Sequence, residues 1–118
     1  MNPLVNLLEK FVTKAEMCTR ALVEENVMSE GGLVTASKTW IRAAIEVINE
    51  LQRVELSNDE IRRIEALLPI VGRAMDRVAM KIRDENEYYR KRLEELHRKF
   101  KWLRRRLEDL IQAKRCTQ

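Results

Sequence analysis

Between Ile61 and Leu110 the apolar residues return three and four positions apart, and almost nothing interrupts them. Ile61, Ile64, Leu68, Val71, Met75, Val78 and Ile82 form a first seam, and Leu93, Leu96, Phe100, Leu103, Leu107 and Leu110 form a second. A repeat of this period puts the apolar side chains along one stripe of an α-helix and cannot put them on one face of a strand. The chain has only 3 Gly and 2 Pro in 118 residues, too few for the many tight turns of a β-sandwich or barrel. The expected fold is therefore all-α: a helical hairpin packed on a long, Pro-kinked C-terminal helix with a coiled-coil-like seam, in one domain spanning 1–118.

Local signals divide the chain into helices over about 3–27, 34–54, 58–68 and 70–114. Asn2-Pro3 reads as an N-cap followed by proline in the first turn. Gly31-Gly32 marks the break between the first two helices, and Ser57-Asn58-Asp59-Glu60 has the capping-box pattern. Pro69 removes a backbone donor, so a kink or a junction near Leu68 is expected. An uninterrupted helix from Ile70 to Lys114 would be about 70 Å long. Within it, Asn86 follows Ile82 by four and is read as a polar seam position at a stutter in the supercoil.

Charge is divided unevenly along the chain. Residues 1–89 sum to −3 and residues 90–118 to +7. The second seam is edged by Arg90, Arg92, His97, Lys99, Arg104 and Arg106, whereas Leu67, Ala74 and Ala79 widen the first. A hairpin of the first two helices would cover about 35 Å of the third, roughly half its length. The second seam would then project uncovered, and an apolar surface of that size marks an interaction site. On this reading Leu93, Leu96, Phe100, Leu103, Leu107 and Leu110 contact a partner, and Arg92, Lys99, Arg104 and Arg106 select acidic edges on its amphipathic helix. Self-association is open to the same seam, although its basic edges would meet like charge in a homo-oligomer. The remaining alternative is burial within the chain's own fold.

Nucleic acid is the alternative partner. Arg90, Lys91, Arg98, Lys101 and Arg105 are positioned to meet phosphates, with Trp102 and Tyr88 on a face away from the seam where bases can stack. Glu87, Glu94, Glu95, Glu108 and Asp109 punctuate that basic helix, and packing against a neighbouring helix is the simpler role for the two aromatics. The basic-edged stripe also has the outline of a membrane-surface helix, but it is narrow and leucine-rich, as in a coiled coil.

Catalytic and cofactor signals are missing from the sequence. His97 is the sole histidine, Cys18 and Cys116 are too few and too far apart for a zinc site, and Gly31-Gly32 lacks the rest of a phosphate loop. The expectation is a non-enzymatic chain with no cofactor and no metal. No segment has the roughly 20 apolar residues of a membrane span, and Glu9 and Lys10 interrupt any signal-peptide pattern, so a cytoplasmic location with reduced thiols is expected.

Several segments together resemble the flagellar and type III export chaperones of the FlgN/FliT kind. They are Ala21-Leu22-Val23-Glu24-Glu25 ending the first helix, the Glu30-Gly31-Gly32-Leu33 break, Lys38, the Ile45, Ile48 and Leu51 face, and Asp84-Glu85-Asn86 opening the final amphipathic run. The resemblance implies a small cytosolic helical bundle that holds an amphipathic segment of an export substrate and keeps it monomeric and unfolded.

Overall fold

The computed structural model describes residues 2–24 and 30–116. Among these there is no strand, and the all-α expectation holds. The helices are α1 (Pro3–Glu24), α2 (Glu30–Leu51), α3 (Asn58–Glu65), α4 (Leu67–Asp84) and α5 (Glu87–Cys116).

The expected caps are in place. Asn2 Oδ1 accepts from the Leu4 amide at 2.9 Å and starts α1. At α3, Ser57 Oγ accepts from the Glu60 amide at 3.2 Å while Glu60 Oε1 accepts from the Ser57 amide at 3.0 Å. The second Glu60 oxygen accepts from the Asn2 amide at 2.9 Å, so one carboxylate serves the starts of two helices. Those amides, Ser57 first and Asn2 next, hold the Glu60 carboxyl below its ordinary value. The junction between α3 and α4 falls at Ala66, three residues before Pro69 and two before the expected Leu68. Gly31 and Gly32 lie inside the first turn of α2, not in a loop, whereas the expected end of the first helix at Val27 and the break at Ser29 lie outside the described residues.

The largest departure from expectation is at Glu85 and Asn86. The helix expected over 70–114 is two helices, and α5 folds back along α4. Glu85 is extended (φ −102°, ψ 155°). Asn86 is no seam residue but the N-cap of α5, its Oδ1 accepting from the Tyr89 amide at 3.2 Å. An extended residue followed by a capping Asn reverses the chain without glycine or proline.

Two hairpins, α1–α2 and α4–α5, thus pack side by side. α2 and α5 run parallel: Lys38 meets Glu95 and, eleven residues further along both, Asn49 meets Arg106. α1 runs parallel to α3 and α4, with Glu9 on Arg63 and Glu16 on Arg77. α1 contacts α2, α3 and α4, and α5 contacts the same three, so α1 and α5 occupy opposite corners of a four-cornered bundle. Residues 52–57 cross from the α2 corner to the α3 corner, and Lys114 Nζ secures this passage by donating to Gln52 O (3.0 Å) and Val54 O (2.5 Å). The bundle measures 48 × 22 × 19 Å, so its long axis nearly equals the length of α5 itself, about 45 Å.

One core runs the length of the bundle, and it takes in the second seam. Leu93, Leu96, Phe100, Leu103, Leu107 and Leu110 are each 0–1% exposed. The Glu16 carboxylate, 1% exposed, is satisfied by Arg20 Nε at 2.9 Å and Arg77 Nη1 at 2.7 Å, an ion cluster pinning α1 to α4.

Phe100→Ala is expected to destabilise the fold by about 3–5 kcal/mol, read from urea unfolding, because the ring is enclosed on all sides. Tyr88→Ala, at a side chain 67% exposed, should stay within about 0.5 kcal/mol. Glu60 gives a pH prediction. Its folded value is lowered, so its contribution is full above the ordinary carboxyl value of 4.5 and is lost as pH falls through the folded value. Glu60→Gln should cost about 1 kcal/mol near neutrality. It should also flatten the acid limb of stability against pH relative to wild type.

Candidate functional site

The bundle sorts the residues expected to bind into two groups. The seam group is enclosed. Leu93 to Leu110 point into the core between α2, α3 and α4, so the expectation of a projecting seam is corrected. The physical reason is the reversal at Glu85 and Asn86: it shortens the final helix and lays it into a groove that the other helices form. The edge cations are partly engaged by α2. Arg106 donates to Asn49 Oδ1, and the Arg92 guanidinium lies against Gly31 so closely that a Cβ there would sit 3.1 Å from its Nη1. Lys99 Nζ lies 5.5 Å from the centre of the Trp102 ring. Arg104 is half-buried at the opposite edge.

The group read as contacts for nucleic acid faces outward. Arg98, Lys101, Trp102 and Arg105 follow at i, i+3, i+4 and i+7 and form one solvent face of α5. Arg98 and Lys101 have no ion pair among the described residues. Arg105 reaches Asp109 only at 3.8 Å, with both side chains mostly in water. Trp102 is 44% exposed. The packing role for the two aromatics therefore fails for Tyr88, which is 67% exposed and meets the edge of Tyr89 at 5.2 Å, and is half met for Trp102. Arg90 and Lys91 stand apart from this cluster. Arg90 Nη2 donates to Glu85 O at 3.2 Å and braces the reversal, and Lys91 lies beside Glu87 and Tyr88 near the start of α5.

Sequence reasoning missed what α2 contributes. Thr35, Lys38, Thr39 and Arg42 also repeat at i, i+3, i+4 and i+7, and because α2 and α5 are parallel this stripe lies along Glu95, Lys99 and Trp102. The two stripes wall a groove of about 300 Å³ with Ile41 among its lining residues. Three cations, two hydroxyls, one indole and a single acid line it. Glu95 is that acid, and it holds Lys38 Nζ at 3.3 Å with half of its own side chain in water. The Thr39 hydroxyl donates back to Thr35 O at 3.0 Å, which leaves its lone pairs as acceptors. The polar repeat on α2 was legible in the sequence, but which helix it faces was not.

Among the described residues no group of three or more His, Cys, Asp or Glu is arranged to hold a metal ion. No described helix is long and apolar enough to cross a membrane. Burial raises the Cys18 thiol above its ordinary value, which lowers its thiolate fraction. Comparison with known protein families, curated proteins and solved structures finds no match for this chain.

Proposed function

We propose that this chain is a non-enzymatic, nucleic-acid-associated helical protein that meets phosphates with the outer face of α5. The observation that carries the reading is the Arg98, Lys101, Trp102 and Arg105 cluster. Its cations stand in water on a rigid helix, two of them without an ion pair among the described residues, beside an accessible indole. Cations that displace condensed counterions supply most of the affinity for a nucleic-acid backbone, and an exposed aromatic among them adds stacking. Lys38 and Arg42 on α2 extend the positive surface beyond the single helix. Glu94 before the cluster and Asp109 after it limit its reach along α5 to about 10 Å. Such a patch touches a few phosphates, so its binding is weak in sequence preference and strong in salt dependence.

The protein-partner reading needs more than the closed bundle offers. An amphipathic, acidic-edged helix could reach Leu93 to Leu110 only if α5 left α2 and α4, and the export-chaperone role implied by the FlgN/FliT resemblance carries the same requirement.

The test is affinity for a short oligonucleotide at increasing salt. Wild type should bind at low salt, with log K falling linearly against log salt. The triple variant Arg98→Glu, Lys101→Glu, Arg105→Glu should lose about tenfold or more in affinity, and its salt slope should be shallower by about 2. Its unfolding midpoint should barely move, because all three side chains are exposed. Unchanged affinity in the triple variant, or no binding by wild type at low salt, overturns the proposal. Binding of an acidic amphipathic peptide in place of the oligonucleotide would install the protein-partner reading instead.

A further inference from the structure

We infer that the groove between α2 and α5 seats one unpaired nucleotide, so that the strand bound is single, with its base on Trp102 and its phosphate between Lys38, Arg42 and Lys99. The inference rests on the proposed function and names the form of nucleic acid that the same face selects.

Three features of the groove point to it. Its volume of about 300 Å³ suits one nucleotide and is far too small for a duplex. Its cations come from two helices and line one groove. Lys38 and Arg42 rise from α2, and Lys99 rises from α5. Trp102 stands in the same wall, 44% exposed, with the Lys99 ammonium 5.5 Å from its ring centre. A base paired within a duplex has both faces covered by its neighbours and cannot reach such a ring, whereas an unpaired base can stack on it. The cation near the indole adds attraction for the phosphate that accompanies the base.

The groove also explains the single acid within it. Glu95 holds Lys38 at 3.3 Å in the ligand-free bundle. A phosphate oxygen entering between Lys38 and Arg42 competes with that carboxylate for the same ammonium, and Glu95 is already half in water and loses little by releasing it. Glu95→Gln removes the competitor and should tighten binding of a single strand.

The experiment uses the intact chain, an oligothymidylate about 15 nucleotides long and a duplex of the same length. Trp40→Phe leaves Trp102 as the reporter, since the chain has 2 Trp, and the change keeps an aromatic ring where Trp40 stacks on Phe11 at 5.6 Å. The expected results are saturable quenching of Trp102 by the oligothymidylate and weaker binding of the duplex. In the wild-type background, Trp102→Ala should lower single-strand affinity about tenfold and leave the duplex unchanged, and Trp102→Phe should recover part of the loss. Circular dichroism of each variant checks the fold. Equal loss for both strands with Trp102→Ala, an unquenched Trp102, or a tighter-binding duplex overturns the nucleotide seat while leaving the phosphate-binding face of α5 intact. Failure of wild type to bind either strand at low salt overturns both.

Discussion

Burial of the α5 seam is the interaction on which the rest of the molecule depends. Each fully buried leucine or phenylalanine contributes roughly 1.5–3 kcal/mol relative to exposure, so baring all six would cost on the order of 10 kcal/mol. That matches the entire net stability of an ordinary domain, about 5–15 kcal/mol. α5 is therefore not a flap that opens on a modest partner but one of the four corners of the bundle. Whatever α5 offers to a ligand, it offers on the side turned away from the core.

The position of that outer face follows from the chain order. Because α2 connects to α3 across the bundle, α2 and α5 become parallel neighbours. A direct up-and-down order would have put α2 beside the helix that follows it. The parallel arrangement aligns two polar repeats over several turns: Lys38 with Glu95, Arg42 near Lys99 and Trp102, Asn49 with Arg106. The ends are fixed independently. Lys114 holds the crossing segment, an Arg115–Glu65 ion pair ties α5 to α3, and Arg90 closes the reversal. The groove is thus a rigid feature of the scaffold, held at both ends of the helix that forms one of its walls.

The sequence made the seam legible but not its cover. A stripe repeating three and four apart is the same whether the helix projects as half of a coiled coil or lies in a bundle corner, since both bury similar positions. The deciding residues were Glu85 and Asn86. The reversal there needs only one extended residue and one capping side chain, and neither has the strong signature of glycine or proline. Asn86 then fits two patterns at once, a polar seam residue or an N-cap, and only the path of the chain separates them. The capping box at Ser57, the cap at Asn2 and the break caused by Pro69 were readable because each rests on contacts within a few residues. The outward face of α5 was readable for the same reason, and its α2 counterpart was not, because pairing two distant helices is a long-range property.

The fate of the edge charges links the fold to the proposed function. Basic edges on the seam argued for a cover with acidic edges. The cover that the chain supplies does not offer acids at these three positions. Arg106 finds an amide on Asn49, Arg92 lies close against Gly31, and Lys99 lies beside an indole. Contacts of this kind leave the charge of these side chains uncancelled. Of the four acids within residues 90–118, Asp109 reaches Arg105 only loosely and Glu95 is held by Lys38 of α2. Apart from the Arg115–Glu65 pair, most of the +7 carried by those residues survives folding, and part of it stands together on the outer face of α5 at Arg98, Lys101 and Arg105. A fold that needed this helix only for its leucines could carry balanced charge on the outer face at no cost to packing. The excess that survives, concentrated around an exposed tryptophan and a cation-lined groove, is what an anionic strand would meet first.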